Sequence, residues 1–183
     1  MSEKENTATS EIKVVGILKK KCVEIKDKRS IDSLSQRGYG TTDNNVFTLS
    51  LYEALYLMDK QLLEIEDPQN KEADFQHVLR CYEKVDDNAW VNYLVYRDLR
   101  SRGYVVREGF GVGTDFRIYE RGAYGKDAAQ YLILSVQEGK PLPMEALMNV
   151  MQRCQSQKKE LILAVMNRRG EVVHYSVSPL TLK

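Results

Sequence analysis

From Trp90 to Arg102 the apolar residues Val91, Leu94, Val95 and Leu99 fall on one helical face, and Gly103 stops the repeat. Beyond that glycine the side-chain pattern changes to that of strands. Tyr104 to Glu108, Asp115 to Glu120 and Tyr131 to Val136 read as three of them, the first two joined by the loop GFGVGT. Pro143 suits the first turn of a second helix, which continues through Met144, Leu147, Met148 and Met151. Leu161 to Met166, a tight turn at Asn167 to Gly170, and Glu171 to Val177 close the series as two further strands. Helix, three strands, helix, two strands is an α+β layer in which both helices can cover one sheet.

The upstream half is less regular. A polar tail precedes Ile12 to Ile25, where β-branched residues on either side of Gly16 suggest a short hairpin. Arg37 to Asn45, RGYGTTDNN, reads as a loop. Ser50 and Glu53 have the capping-box spacing, in which each side chain satisfies a free backbone N–H at a helix start. Leu51, Ala54, Leu55, Met58 and Leu62 then follow at helical spacing, and Glu64 to Asn70 ends that element. Phe75, Val78, Leu79 and Tyr82 repeat the spacing up to an acidic break at Asp86-Asp87. The break divides the chain into residues 1–85, the first ten or so being a frayed tail, and residues 86–183.

Charge separates these halves only weakly. Up to Lys84 there are 13 Lys+Arg against 15 Asp+Glu, and after it 14 against 11, within a net +1 for the chain. Overall charge therefore does not announce a nucleic-acid binder. Cys22, Cys81 and Cys154 are isolated and odd in number, which reads as free thiols in a reducing compartment. With only two histidines and no clustering, a zinc site is not expected and no cofactor is called for. No apolar run approaches the roughly 20 residues of a membrane span, and the polar start is unlike a signal peptide. A soluble, cytoplasmic protein is the expectation.

Candidate chemistry centres on Tyr119. A free phenol titrates near ~10, so Tyr119 needs cationic neighbours to transfer a proton near neutrality. Strand alternation puts Arg117 on its face. Lys158-Lys159, just before the strand LILAVM, can place an ammonium beside an anionic transition state or simply solvate a strand start. His174, mid-strand, and His77, in a helical stretch, read first as structural. Asp115, Glu120 and Asp127 do not form a recognisable metal set. GFGVG follows a strand but runs into another strand rather than a helix, so it fails the context of a phosphate-binding loop. The residues alone reach an α+β protein with a candidate anion site near Tyr119.

Three segments carry a resemblance that goes further. LSLYEALYLMDKQLLEI at Leu49 to Ile65, YLVYRDLRSRGYVVREGFGVGTDFRIYERG at Tyr93 to Gly122 and KKELILAV at Lys158 to Val165 resemble archaeal tRNA-intron (splicing) endonucleases. The resemblance implies a small N-terminal mixed α/β domain followed by a C-terminal endonuclease domain, a mixed sheet flanked by two helices. It implies metal-independent cleavage of precursor tRNA at bulge-helix-bulge junctions, leaving a 2′,3′-cyclic phosphate and a 5′-hydroxyl. In that family a tyrosine, a histidine and a lysine do the chemistry. The tyrosine matches Tyr119, the expected base, and the lysine matches Lys159, the expected stabiliser of the phosphorane.

The histidine is where the pattern departs. Anchored on Tyr131-Leu132, its position is Ala128; an ungapped count from Tyr119 gives Ala129. Neither side chain transfers a proton, and acid–base catalysis is worth about 10²–10⁴-fold, so slow cleavage or none is expected. Two explanations stand: a catalytic-type subunit that carries alanine in place of histidine, or a non-catalytic structural subunit. The family's acidic assembly loop is here Asn167-Arg168-Arg169-Gly170-Glu171, which points to a heterotetramer whose second endonuclease subunit supplies the acid loop. The arginine expected to clamp a bulge base falls at Gln152, next to Arg153. Arg117, Arg153, Lys158 and His174 are the candidate RNA contacts.

Overall fold

The computed structural model describes residues 13–109, 111 and 113–179. They form two five-stranded sheets and five helices. The first holds β1 (Val14–Leu18), β2 (Cys22–Ile25), β3 (Thr41–Asp43), β4 (Val46–Ser50) and β5 (Leu63–Glu66) in the order β3-β4-β2-β1-β5. It is mixed: β1 runs antiparallel to β2 and parallel to β5. Helices α1 (Lys28–Gln36), α2 (Leu51–Asp59) and α3 (Phe75–Glu83) belong to this half. The hairpin expected near Gly16 is β1–β2; the polar tail and Ile12 lie outside the described residues.

The second half opens with α4 (Ala89–Ser101) and continues through β6 (Val105–Glu108), β7 (Phe116–Tyr119) and β8 (Tyr131–Gln137). Helix α5 (Met144–Ser156), β9 (Glu160–Met166) and β10 (Val172–Val177) complete it. The sheet order is β10-β9-β8-β7-β6, with β8 and β9 parallel across the α5 connection and the other neighbours antiparallel. Each helix takes one face. Ile133, Ile162 and Ala164 join the core around α4, whereas Leu132 and Leu161 pack with Met151 and Cys154 of α5. Alternation along β8 and β9 thus sends successive side chains to opposite layers. The GFGVGT segment joins antiparallel neighbours, as expected of a strand connection; its Phe110 and Val112 lie outside the described residues.

Two expectations for the first half are corrected. The loop at residues 37–45 contains a strand, Thr41–Asp43, which pairs with β4 although all three residues are exposed. The helix expected to reach Leu62 stops at Asp59. There the N–H of Gln61 donates to Met58 O and that of Leu62 to Leu57 O, a Schellman closure with Gln61 at φ 57°. The chain then re-enters the sheet as β5, whose Leu63 and Ile65 are buried and alternate with glutamates. The capping box does form at Ser50 and Glu53.

The two halves share one core. Tyr52 of α2 meets Phe116 of β7 edge-on at 5.1 Å and Tyr96 of α4 at 4.8 Å. Beside it runs a buried ion pair, Arg107 Nη1 to Glu53 Oε1 at 3.3 Å. The same guanidinium donates to the carbonyls of Gly38 (3.3 Å) and Gly40 (2.6 Å), and Glu53 accepts from the N–H of Gly40 (3.1 Å). Burial pushes the Glu53 carboxyl up, with Arg107 opposing that shift. The pair clamps residues 38–40 against the edge strand β6.

Candidate active site

The C-terminal end of β7 and the N-terminal ends of β8 and β9 lie at the same end of the second sheet, because β7 runs against β8 and β8 runs with β9. Tyr119 closes β7. Ile118 beside it is buried in the α4 layer, so Tyr119 points to the opposite face, with Arg117. Arg117 Nε–H donates to Tyr119 Oη at 3.1 Å, placing a guanidinium on the phenol oxygen. That contact sets a cation directly beside the phenol, as strand alternation leads one to expect.

Lys159 arrives from the other side. The C-terminus of α5 is a second Schellman closure: Lys158 N–H donates to Gln155 O and Lys159 N–H to Cys154 O. Lys158 takes the left-handed position, φ 55°, where glycine is usual. The closure turns Lys159 towards the start of β8, where its ammonium donates to the carbonyl of Ala129. Glu160 N–H bonds to Gln130 O at 2.9 Å and secures the same junction. Arg153, near the end of α5, and Lys158 are both exposed beside this corner.

Between these side chains runs the turn from Glu120 to Gln130. Its backbone is closed by Ala123, whose N–H donates to Glu120 O and whose carbonyl accepts from Lys126 and Asp127. A small cavity of about 90 Å³ is lined by Tyr119, Ala123, Asp127, Ala128, Gln130 and Tyr131. The two alanines are not equivalent: Ala128 is exposed at this cavity, whereas Ala129 is buried. Tyr124, at the tip of the turn, lies edge-on to Tyr119 with ring centroids 5.2 Å apart.

His174 stands elsewhere. It pairs with Ala164 and so faces the α4 layer, where its Nε2 lies 3.7 Å from Asp98 Oδ2. Burial lowers its pKa, so at neutral pH this is a contact of an uncharged imidazole. Asp115 is also apart from Tyr119: its carboxylate accepts from the N–H of Ser135 at 2.7 Å, and burial raises its pKa. Among the described residues no three His, Cys, Asp or Glu side chains are grouped to hold a metal ion. Sequence reasoning did not single out Tyr124 or the Arg107–Glu53 clamp. Glu53 carried a local signal only for its capping role; its second partner is 54 residues away.

Comparison with known proteins places the chain in a class. Residues 89–175 match the family model of the tRNA intron endonuclease catalytic C-terminal domain, and residues 14–79 that of the tRNA intron endonuclease N-terminal domain. The chain belongs to the tRNA intron endonuclease family. It is 36% identical to the tRNA-splicing endonuclease of Methanococcus vannielii over 160 residues, 87% of this chain and 90% of that one. To the tRNA-splicing endonuclease of Pyrococcus furiosus it is 35% identical over 141 residues, covering 77% and 81%. Among the described residues no helix is long and apolar enough to cross a membrane.

Proposed function

We propose that this chain is a subunit of a cytoplasmic, archaeal-type endonuclease that cuts precursor tRNA at bulge-helix-bulge intron junctions without a metal. The observation that carries the reading is the convergence of Tyr119, Arg117 and Lys159 on the turn holding Ala128, at one end of one sheet. Tyr119 takes the proton of the ribose 2′-OH. The 2′-oxygen attacks the adjacent phosphorus, the bond to the 5′-oxygen breaks, and the products are a 2′,3′-cyclic phosphate and a 5′-hydroxyl. Lys159 neutralises the charge that builds on the phosphorane oxygens, where a preplaced cation acts most strongly. The Arg117 guanidinium, hydrogen-bonded to the phenol oxygen, orients Tyr119 and adds positive charge for the RNA backbone. Arg153 and Lys158 extend that charge along the exposed corner. His174 faces the other layer, 3.7 Å from Asp98, so the RNA contact is assigned to Arg117, Arg153 and Lys158.

Ala128 occupies the place of the proton donor to the leaving 5′-oxygen, so the chain is impaired relative to one with histidine there. The expected deficit is about 10²–10⁴-fold. The working division of the chain is at residue 85, between an N-terminal domain, 1–85, and the catalytic-type unit, 86–183. The assembly is a heterotetramer in which a second endonuclease subunit supplies the acid loop, since the β9–β10 turn here exposes Arg168 and Arg169. The test is Ala128→His, assayed on a bulge-helix-bulge precursor in excess EDTA. The variant should gain about 10²-fold or more over the parent chain and yield cyclic-phosphate ends. No gain, alone or with a partner subunit, favours the alternative of a purely structural subunit.

A further inference from the structure

We infer that Tyr124 is the proton donor this chain uses in place of the missing histidine. The inference rests on the reaction proposed above and names the group that completes it. Three observations support it. Tyr124 is the aromatic side chain in edge contact with Tyr119, at 5.2 Å between centroids and 79° between planes. It sits on the same turn as Ala128, four residues earlier, between Gly122 and Gly125, both of which take left-handed backbone at φ 84° and 80°.

The ring is also held from behind. A Cβ added to Gly38 would lie 2.6 Å from Val105 Cγ1 and 3.5 Å from Tyr124 Cδ1, so the backbone of Gly38 approaches both. Val105 is the cross-strand partner of Tyr119. Gly38 is itself gripped by Arg107, whose partner is Glu53. Tyr124 is therefore packed between the base and a clamped segment of the N-terminal half, yet keeps 37% of its surface open to a bound RNA.

The chemistry suits a phenol. Carboxyl groups ordinarily ionise near ~4 and are acceptors at neutrality, whereas a phenol ordinarily retains its proton to about pH 10. The carboxyls of the turn, Glu120 and Asp127, are for that reason the poorer candidates. In the step, Tyr119 takes the proton from the 2′-oxygen as the O2′–P bond forms. Tyr124 O–H gives its proton to the 5′-oxygen as the P–O5′ bond breaks. The phenol left on Tyr119 and the phenolate left on Tyr124 exchange one proton through solvent, which restores both groups. No metal, oxidant or co-reactant enters the balance. A phenol is a weaker acid than an imidazolium, so this route is slower than the histidine route and leaves room for the gain expected of Ala128→His.

The experiment compares four full-length chains: the parent, Tyr124→Phe, Ala128→His and the double variant. Each is assayed in EDTA on a bulge-helix-bulge precursor, with any partner subunit present. Phenylalanine keeps the ring contact, so thermal unfolding should be unchanged while the hydroxyl is removed. The parent should cleave slowly, and Tyr124→Phe should lower that rate about 10-fold or more. The double variant should cleave like Ala128→His, because the imidazole makes the phenol dispensable. A parent and Tyr124→Phe of equal rate overturn the inference. A silent parent with an active Ala128→His overturns it too, while the proposed function stands. Silence of all four chains removes the proposed function and the donor together.

Discussion

His174 shows that a residue's place on a strand and the partners it meets are legible from different things. Its position in β10 follows from period-two reading, but which layer that strand side faces depends on the pairing with Ala164. The pairing turns the imidazole to Asp98 and Arg102, the charged groups that act on it, and burial outweighs the Asp98 carboxylate to lower its pKa. A depressed folded pKa contributes stability that is fully present above the unfolded value, about 6.5, and is lost as pH falls through the folded one. Unfolding free energy should therefore decline as pH falls below about 6.5, and His174→Gln should flatten that slope. Denaturant titrations of both chains at several pH values measure it. The buried carboxyls Glu53 and Asp115, whose pKa values are raised, act in the opposite sense but are common to both chains. An identical slope in the two chains would show that the imidazole titrates as if unfolded. Tyr119 and Lys159, by contrast, were legible as candidates from strand ends and charge alone, although only the pairing of β7, β8 and β9 brings them to one corner.

Helix ends decided which elements the sequence disclosed. Gly103 announces the end of α4, and its φ of 94° with the bonds Gly103 N–H to Arg100 O and Tyr104 N–H to Leu99 O realises the closure. Gln61 and Lys158 perform the same closure without glycine, so neither stop carries a signal, and helical spacing alone predicts α2 through Leu62. Helix α1 escaped for another reason: KRSIDSLSQ buries only Ser30 and Leu34, so it shows little apolar stripe and depends on the Asp27 cap, which accepts from Ser30 N–H and Oγ–H. β3 is wholly exposed and exists through its pairing with β4. Lys158 permits a test that separates fold from function. A non-glycine residue in left-handed backbone costs about 1–2 kcal/mol, so Lys158→Gly should raise stability by roughly 1 kcal/mol. If Lys158 also meets the RNA backbone, the same variant should bind precursor less tightly and lower the salt-dependence slope by about 1. Calorimetry and binding at several salt concentrations read the two effects independently; gain in stability with unchanged binding would confine Lys158 to its role in turning Lys159.

The second sheet has an open edge. Among the described residues β10 has β9 on one side and no strand of the sheet on the other, and Val173 and Tyr175, 46% and 54% exposed, stand on the face away from His174. Their cross-strand partners are Val165 and Leu163, both half-buried, so a short apolar strip crosses the two last strands. An open edge with apolar side chains invites pairing with another chain. The turn before β10 adds a second determinant. Asn167 is spent within it, its Nδ2 donating to Glu171 Oε2 at 2.7 Å and its Oδ1 accepting from the N–H groups of Arg169 and Glu171. The carboxylate of Glu171 is thereby engaged, and what the turn offers outward is Arg168 and Arg169. Two copies can pair along β10 without using that turn, but a contact that needs an acidic turn from each copy is mismatched. The chain alone should therefore sediment as a dimer at low micromolar concentration, and Val173→Asp with Tyr175→Asp should convert it to a monomer while leaving its far-UV spectrum intact. A second subunit with an acidic turn should raise the mass to that of a tetramer, and more readily at low salt, because exposed charge pairs weaken as screening increases. A stable tetramer of the chain alone would overturn the heteromeric assembly and require Arg168 and Arg169 to find an acidic surface on their own kind.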